Sequence, residues 1–107
     1  MNDAQHRQYR VAMLNSLATE IRVALDEADS KHGDNSISCL SVDSPRWLSI
    51  LVEEVGEIAN TLTYDFNSER HTSDTRSELL DVIAVCASWI DAIDQAKEQE
   101  LASESNA

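Results

Sequence analysis

The stretch Ser44-Pro-Arg-Trp-Leu-Ser-Ile-Leu-Val-Glu-Glu-Val-Gly-Glu-Ile-Ala59 decides the fold. Ser44 followed by Pro45 reads as an N-cap with proline at the first helical position, where a missing amide proton costs nothing. Leu48, Leu51, Val55, Ile58 and Leu62 then recur at steps of three and four, the spacing of one helical face. This pattern predicts a helix to about Phe66, ended by the polar run Asn67-Ser-Glu-Arg-His-Thr-Ser-Asp74.

Upstream, Leu14, Leu17, Ile21, Leu25 and Ala28 repeat the same spacing and predict a long helix from about Asp3 to His32, stopped by Gly33. Residues 34–43 are rich in Asp, Asn and Ser, whose side chains satisfy turn backbones, and read as a loop. Downstream, Leu79, Val82, Ile83, Cys86, Ile90 and Ile93 predict a third helix from Asp74 or Thr75 to about Glu100. The tail Leu101-Ala-Ser-Glu-Ser-Asn-Ala107 is small and polar and is expected to fray.

The expected architecture is all-α: an antiparallel bundle of three main helices, with room for a short fourth, forming one domain over residues 1–100. Only two Gly and one Pro in 107 residues agree with long helices. Trp47, Ile50, Val85, Ala87 and Trp89 lie off the main stripes, and one copy is not expected to cover them all. Homo-oligomerisation, as a homodimer or dimer of dimers, is the expected remedy, completing a four-helix core.

A formal charge of -12 repels nucleic-acid backbones, so nucleic acid is excluded as a partner. A phosphorylated small molecule is compatible only if divalent cations first neutralise an acidic site. No segment approaches the roughly 18 apolar residues of a membrane span, and the polar N-terminus has no signal-peptide core, so the expected location is cytoplasmic, without membrane partners. Cys39 and Cys86 lack metal-site or disulfide-scaffold spacing and are expected to be thiols, Cys86 as core filling.

Chemistry concentrates in two acidic pairs. Glu54 and Glu57 are three residues apart, as are Glu78 and Asp81, so each pair points to one side of its helix beside the apolar stripe. Like charges so placed repel, and a shared cation relieves them. Oxygen ligands suit Mg2+, with Mn2+ as a substitute; the absence of nearby His or Cys ligands disfavours zinc, and of Glu-x-x-His a di-iron centre. The bland reading of either pair alone is a solvated acidic face, or for Glu78 a capping box with Thr75.

The helix containing Glu54-Val-Gly-Glu57, followed after a polar loop by Ser77-Glu-Leu-Leu-Asp-Val-Ile-Ala-Val-Cys-Ala-Ser-Trp-Ile-Asp-Ala-Ile93, resembles MazG-like nucleotide pyrophosphohydrolases, particularly the short single-domain forms of phages and mobile elements. Lys31-His-Gly33 is similar to the segment closing the first helix there. The resemblance covers about residues 20 to 95. It implies Mg2+-dependent hydrolysis of (deoxy)nucleoside triphosphates to the monophosphate and pyrophosphate, with Glu54, Glu57, Glu78 and Asp81 as ligands.

On that reading Glu53 and Glu54 are the catalytic candidates, Glu53 as a base or outer ligand, or alternatively a plain solvated acid. Lys31, Arg46, Arg70 and Arg76 are candidates for phosphate oxygens. Trp47 reads either as core or as a platform for a base. The chain departs from some family members in lacking Lys or Arg between Asp81 and Lys97, leaving phosphate binding to Arg70 and Arg76 or to groups in trans. The alternative function is a non-catalytic helical module that binds a nucleotide or a protein through the same groove.

Overall fold

The computed structural model describes residues 1–63 and 71–105. It consists of helices α1 (Asp3–His32), α2 (Arg46–Thr63) and α3 (His71–Ser105), with two 3-10 turns, Gly33–Asn35 and Ile37–Cys39, between the first two. Among the described residues there is no strand, so the chain is all-α as expected.

The sequence explains where the helices begin and stop. Asn2 accepts the Gln5 amide at 2.9 Å while the Gln5 side chain accepts the Asn2 amide at 2.8 Å, a reciprocal cap at the start of α1. Gly33 ends α1 with φ 54°, a backbone angle that costs glycine little, and its amide donates to the Asp29 carbonyl. Ser44 accepts the Arg46 amide at 3.2 Å, so α2 starts one residue past Pro45. Its expected end at Phe66 lies outside the described residues.

Helix α3 is longer than its stripe predicts. It begins at His71, three residues before Asp74, and continues to Ser105, where the sequence suggests a frayed tail from Leu101. Leu101, Ala102 and Glu104 are good helix formers and no Gly or Pro interrupts them, so helix propagation wins over the polar composition.

Three contacts fix the direction of α2 against α3: Trp47 with Trp89, the Glu54 carboxylate near Asp81, and Thr61 with Thr75. Numbers rise along one helix as they fall along the other, so the two are antiparallel. Helix α1 runs parallel to α3, because Glu20 meets Arg76 and Glu27 lies near Asp81. The Arg76 guanidinium grips both Glu20 oxygens at 2.7 and 2.8 Å.

The interior is not the one the apolar periodicity predicts. Trp47, at 1% exposure, and Val85 and Ala84 form the buried core, with Trp89 stacked on Trp47 at a centroid distance of 5.9 Å. Leu48, Val52, Val55 and Leu62 on α2 instead face outward, as do Leu79, Ile83, Ile90 and Ile93 on α3. Two linked features set this rotation. An indole buries more apolar area than any aliphatic side chain, and its N–H demands an acceptor. Trp47 Nε1 finds one in the Ser41 carbonyl at 2.9 Å.

At the opposite end, buried Thr61 donates to the Ile58 carbonyl at 2.7 Å and lies 2.8 Å from the Thr75 hydroxyl. A polar clasp and an aromatic clasp therefore bracket the middle of the α2 and α3 pair. The acids sit between them. Among the described residues, no helix is long and apolar enough to cross a membrane.

Candidate functional site

Glu54, Glu78 and Asp81 converge from α2 and α3, each offering an oxygen within 4.8 Å of the others. The three-residue step from Glu78 to Asp81 keeps both on the side of α3 that meets α2, and Glu54 faces them one turn beyond Ile50. A capping box does not account for Glu78, because Thr75 lies inside α3 and not at its N-cap.

The carboxyls oppose one another. Glu54 is pushed above the ordinary carboxylate range by partial burial first, then by the charges of Asp81, Glu57 and Glu53. Glu78 is raised for the same first reason, with Asp81, Glu54, Glu57 and Asp74 adding to it. Asp81 is raised by partial burial and by Glu27, against the opposing effect of a hydrogen bond with Glu78. Each of these groups gains from a neighbouring positive charge.

An open pocket of about 610 Å³ lies beside this cluster, walled by α1 on one side and α2 and α3 on the other. Glu53, Glu54 and Asp81 line it together with Lys31 and Arg46. It therefore has acids and cations on facing elements: Lys31 comes from the last turn of α1 and Arg46 from the first turn of α2. Small side chains, Ala24, Ala28 and Ala84, keep the space between the helices open.

Of the residues singled out by sequence, Glu53, Glu54, Asp81, Lys31 and Arg46 meet at the pocket, and Glu78 completes the carboxylate cluster. Glu57 is exposed and outside the three-oxygen group, although its charge reaches both Glu54 and Glu78. Trp47 is a correction: sealed at 1% exposure against Trp89, it has no face for a ligand and belongs to the core. Arg76 is held by Glu20 and does not line the pocket. Arg70 lies outside the described residues.

Glu27, His32 and Asn35 also line the pocket, although the sequence marks none of them as a site residue. The signal for Glu27 was Ala24, Glu27, Ala28 and Lys31 sharing a face of α1, where two alanines beside opposite charges leave a gap that larger residues would fill. Gly56, inside α2 beside the acids, has open space around it: a Cβ there meets nothing within 4 Å.

The donor set is all oxygen, half-exposed, and short of the six ligands of a hard divalent cation, leaving room for water and substrate oxygens. It fits Mg2+ or Mn2+ on chemistry and on the mutual repulsion that a cation removes. No protein-family model, no curated protein and no solved structure matches this chain.

Proposed function

We propose that the chain hydrolyses (deoxy)nucleoside triphosphates to the monophosphate and pyrophosphate, in the cytoplasm, using Mg2+ with Mn2+ as a substitute. The observation that carries this reading is the two-signed pocket, where Glu54 and Asp81 face a space also lined by Lys31 and Arg46. A triphosphate is an anion that needs both: carboxylates to hold its cations, and basic side chains to hold its remaining oxygens. The resemblance of the two acidic helices to MazG-like enzymes supports the same assignment.

Glu54, Glu78 and Asp81 would hold the cation, with Glu57 close enough to add charge. A bound divalent ion supplies charge neutralisation of the phosphates and lowers the pKa of an attacking water. Lys31 and Arg46 bind phosphate oxygens and orient the chain of phosphates across the pocket. Glu53, which lines the pocket outside the three-oxygen cluster, takes the proton of the water as its oxygen bonds to phosphorus. The bridging P–O bond breaks, and pyrophosphate leaves with the electron pair.

A nucleotide panel incubated with the protein and Mg2+, with monophosphate and pyrophosphate quantified, tests this. Equal amounts of the two products, lost in Glu54→Gln and Asp81→Asn, are expected. Orthophosphate as the main product, or no turnover with any nucleotide, rejects it.

A further inference from the structure

The segment between α1 and α2 forms one edge of the acidic pocket. Its 3-10 turns, Gly33–Asn35 and Ile37–Cys39, make a short strap from which Asn35 and Ile37 reach the pocket. Ile37 also lines a second cavity of about 300 Å³ on the strap's other side, against Ser88 and Ala92 of α3. The strap is a single layer between two open spaces, and only Ser36, at 5% exposure, is buried in it.

A hydrogen bond fixes what packing does not. The Ser38 hydroxyl donates to Asp29 Oδ1 at 2.7 Å, joining the strap to α1 across nine residues. Among the described residues, no other side-chain hydrogen bond ties residues 33–39 to a helix. Asp29 stands in the last turn of α1, where the negative end of the helix dipole disfavours a carboxylate. Helix stability alone therefore does not call for an acid there, whereas a charge-assisted bond to the strap does.

What the strap presents is neutral. Asn35 is the one carboxamide among the described residues lining the pocket. A carboxamide carries donors and an acceptor without charge, so it matches the uncharged part of a nucleotide, a base edge or a sugar hydroxyl. Ile37 beside it offers that part an apolar surface, and Lys31 and Arg46 are left to serve the phosphates.

We propose that Asp29 is a positioning residue: through Ser38 it holds the strap so that Asn35 and Ile37 meet the nucleoside, and it has no part in holding the phosphates. This rests on the nucleotide reading of the pocket, though not on the hydrolysis itself.

Calorimetric binding in Mg2+ tests it, with two probes: the unhydrolysable α,β-methylene triphosphates of the common deoxynucleosides, and inorganic tripolyphosphate. For Asp29→Ala and for Ser38→Ala, the Kd of the tightest analogue is expected to rise about fivefold, the scale of one hydrogen bond. The double variant should be no worse than either alone, because both remove the same bond. Asp29→Asn keeps an acceptor oxygen and Ser38→Thr keeps the hydroxyl, and each should bind as the unmodified chain does. Tripolyphosphate has no nucleoside and should bind every variant equally.

Asp29 is half-buried and Ser38 exposed, so the helical circular dichroism spectrum should persist. Asn35→Ala, which leaves the Asp29 bond intact, should reproduce the loss and gives a second reading should another variant fail to fold. Alanine variants that bind the analogue normally, or that weaken both probes alike, overturn the proposal, as does an unmodified chain that binds no analogue. The expected pattern in a chain that releases no pyrophosphate from natural nucleotides would reject the hydrolysis and leave the positioning role standing.

Discussion

Trp47 and Trp89 stack with their ring planes 7° apart and their centroids 5.9 Å from one another, joining the start of α2 to the middle of α3. Because Trp47 is fully enclosed, its truncation leaves a cavity and removes the indole's hydrogen bond to the Ser41 carbonyl. Trp47→Ala is expected to cost about 3–5 kcal/mol, and Trp47→Phe less, in denaturant unfolding followed by circular dichroism. A change in nucleotide KM without loss of stability would contradict the core role.

The basic residues divide by what they touch. Lys31→Met and Arg46→Met remove positive charge from the pocket and should raise the KM for a triphosphate roughly tenfold or more, on the scale of a charge-assisted hydrogen bond of about 1.5–3 kcal/mol. Arg76→Met breaks an exposed pair with Glu20 and should leave KM unchanged, with little effect on the melting temperature. Steady-state kinetics on the three variants separates them.

Glu54, Glu78 and Asp81 all have raised pKa values in the folded chain. A group that binds its proton more tightly when folded adds stability below its unfolded pKa and loses it as pH rises through the folded value. The cation-free protein should therefore grow more stable as pH falls through the raised folded-state values of these three acids toward the ordinary carboxylate range. Glu20 has the opposite sign, since Arg76 lowers its pKa, and its contribution is lost only on further acidification. Saturating Mg2+ should flatten the rise, because a cation replaces the proton. Thermal melts across pH, with Mg2+ and with a chelator, check both signs.

Gly56 has open space where a side chain would sit. Gly56→Ala should stabilise the fold by about 0.5–1 kcal/mol through helix propensity. Chemical denaturation reads the gain; a loss of that size would mean that something approaches Gly56 more closely than the single chain shows.

Helix content, order and the first helix's boundaries were legible because the three-and-four apolar spacing, Gly33 and Ser44-Pro45 act locally along the chain. The rotation of α2 and α3 was not legible. Two apolar faces on one helix look alike to a periodicity argument, and choosing between them required knowing that Trp47 pairs with Trp89 and that Ser41 offers a carbonyl to the indole. Spacing on each helix paired Glu54 with Glu57 and Glu78 with Asp81, whereas the meeting of Glu54 with Glu78 and Asp81 depends on the packing of α2 against α3, and Glu27 entered the site through the packing of α1. Arg76 was free in the sequence, and only the parallel course of α1 and α3 brought Glu20 to it.

A Mn2+ titration of the purified chain, with free ion followed by electron paramagnetic resonance, addresses the three-carboxylate cluster without depending on any substrate. Stoichiometric Mn2+ uptake, competed by Mg2+ and strongly weakened in Glu54→Gln and Asp81→Asn, is expected. Uptake that is absent, or unchanged in both variants, would mean that these three acids do not hold a common cation.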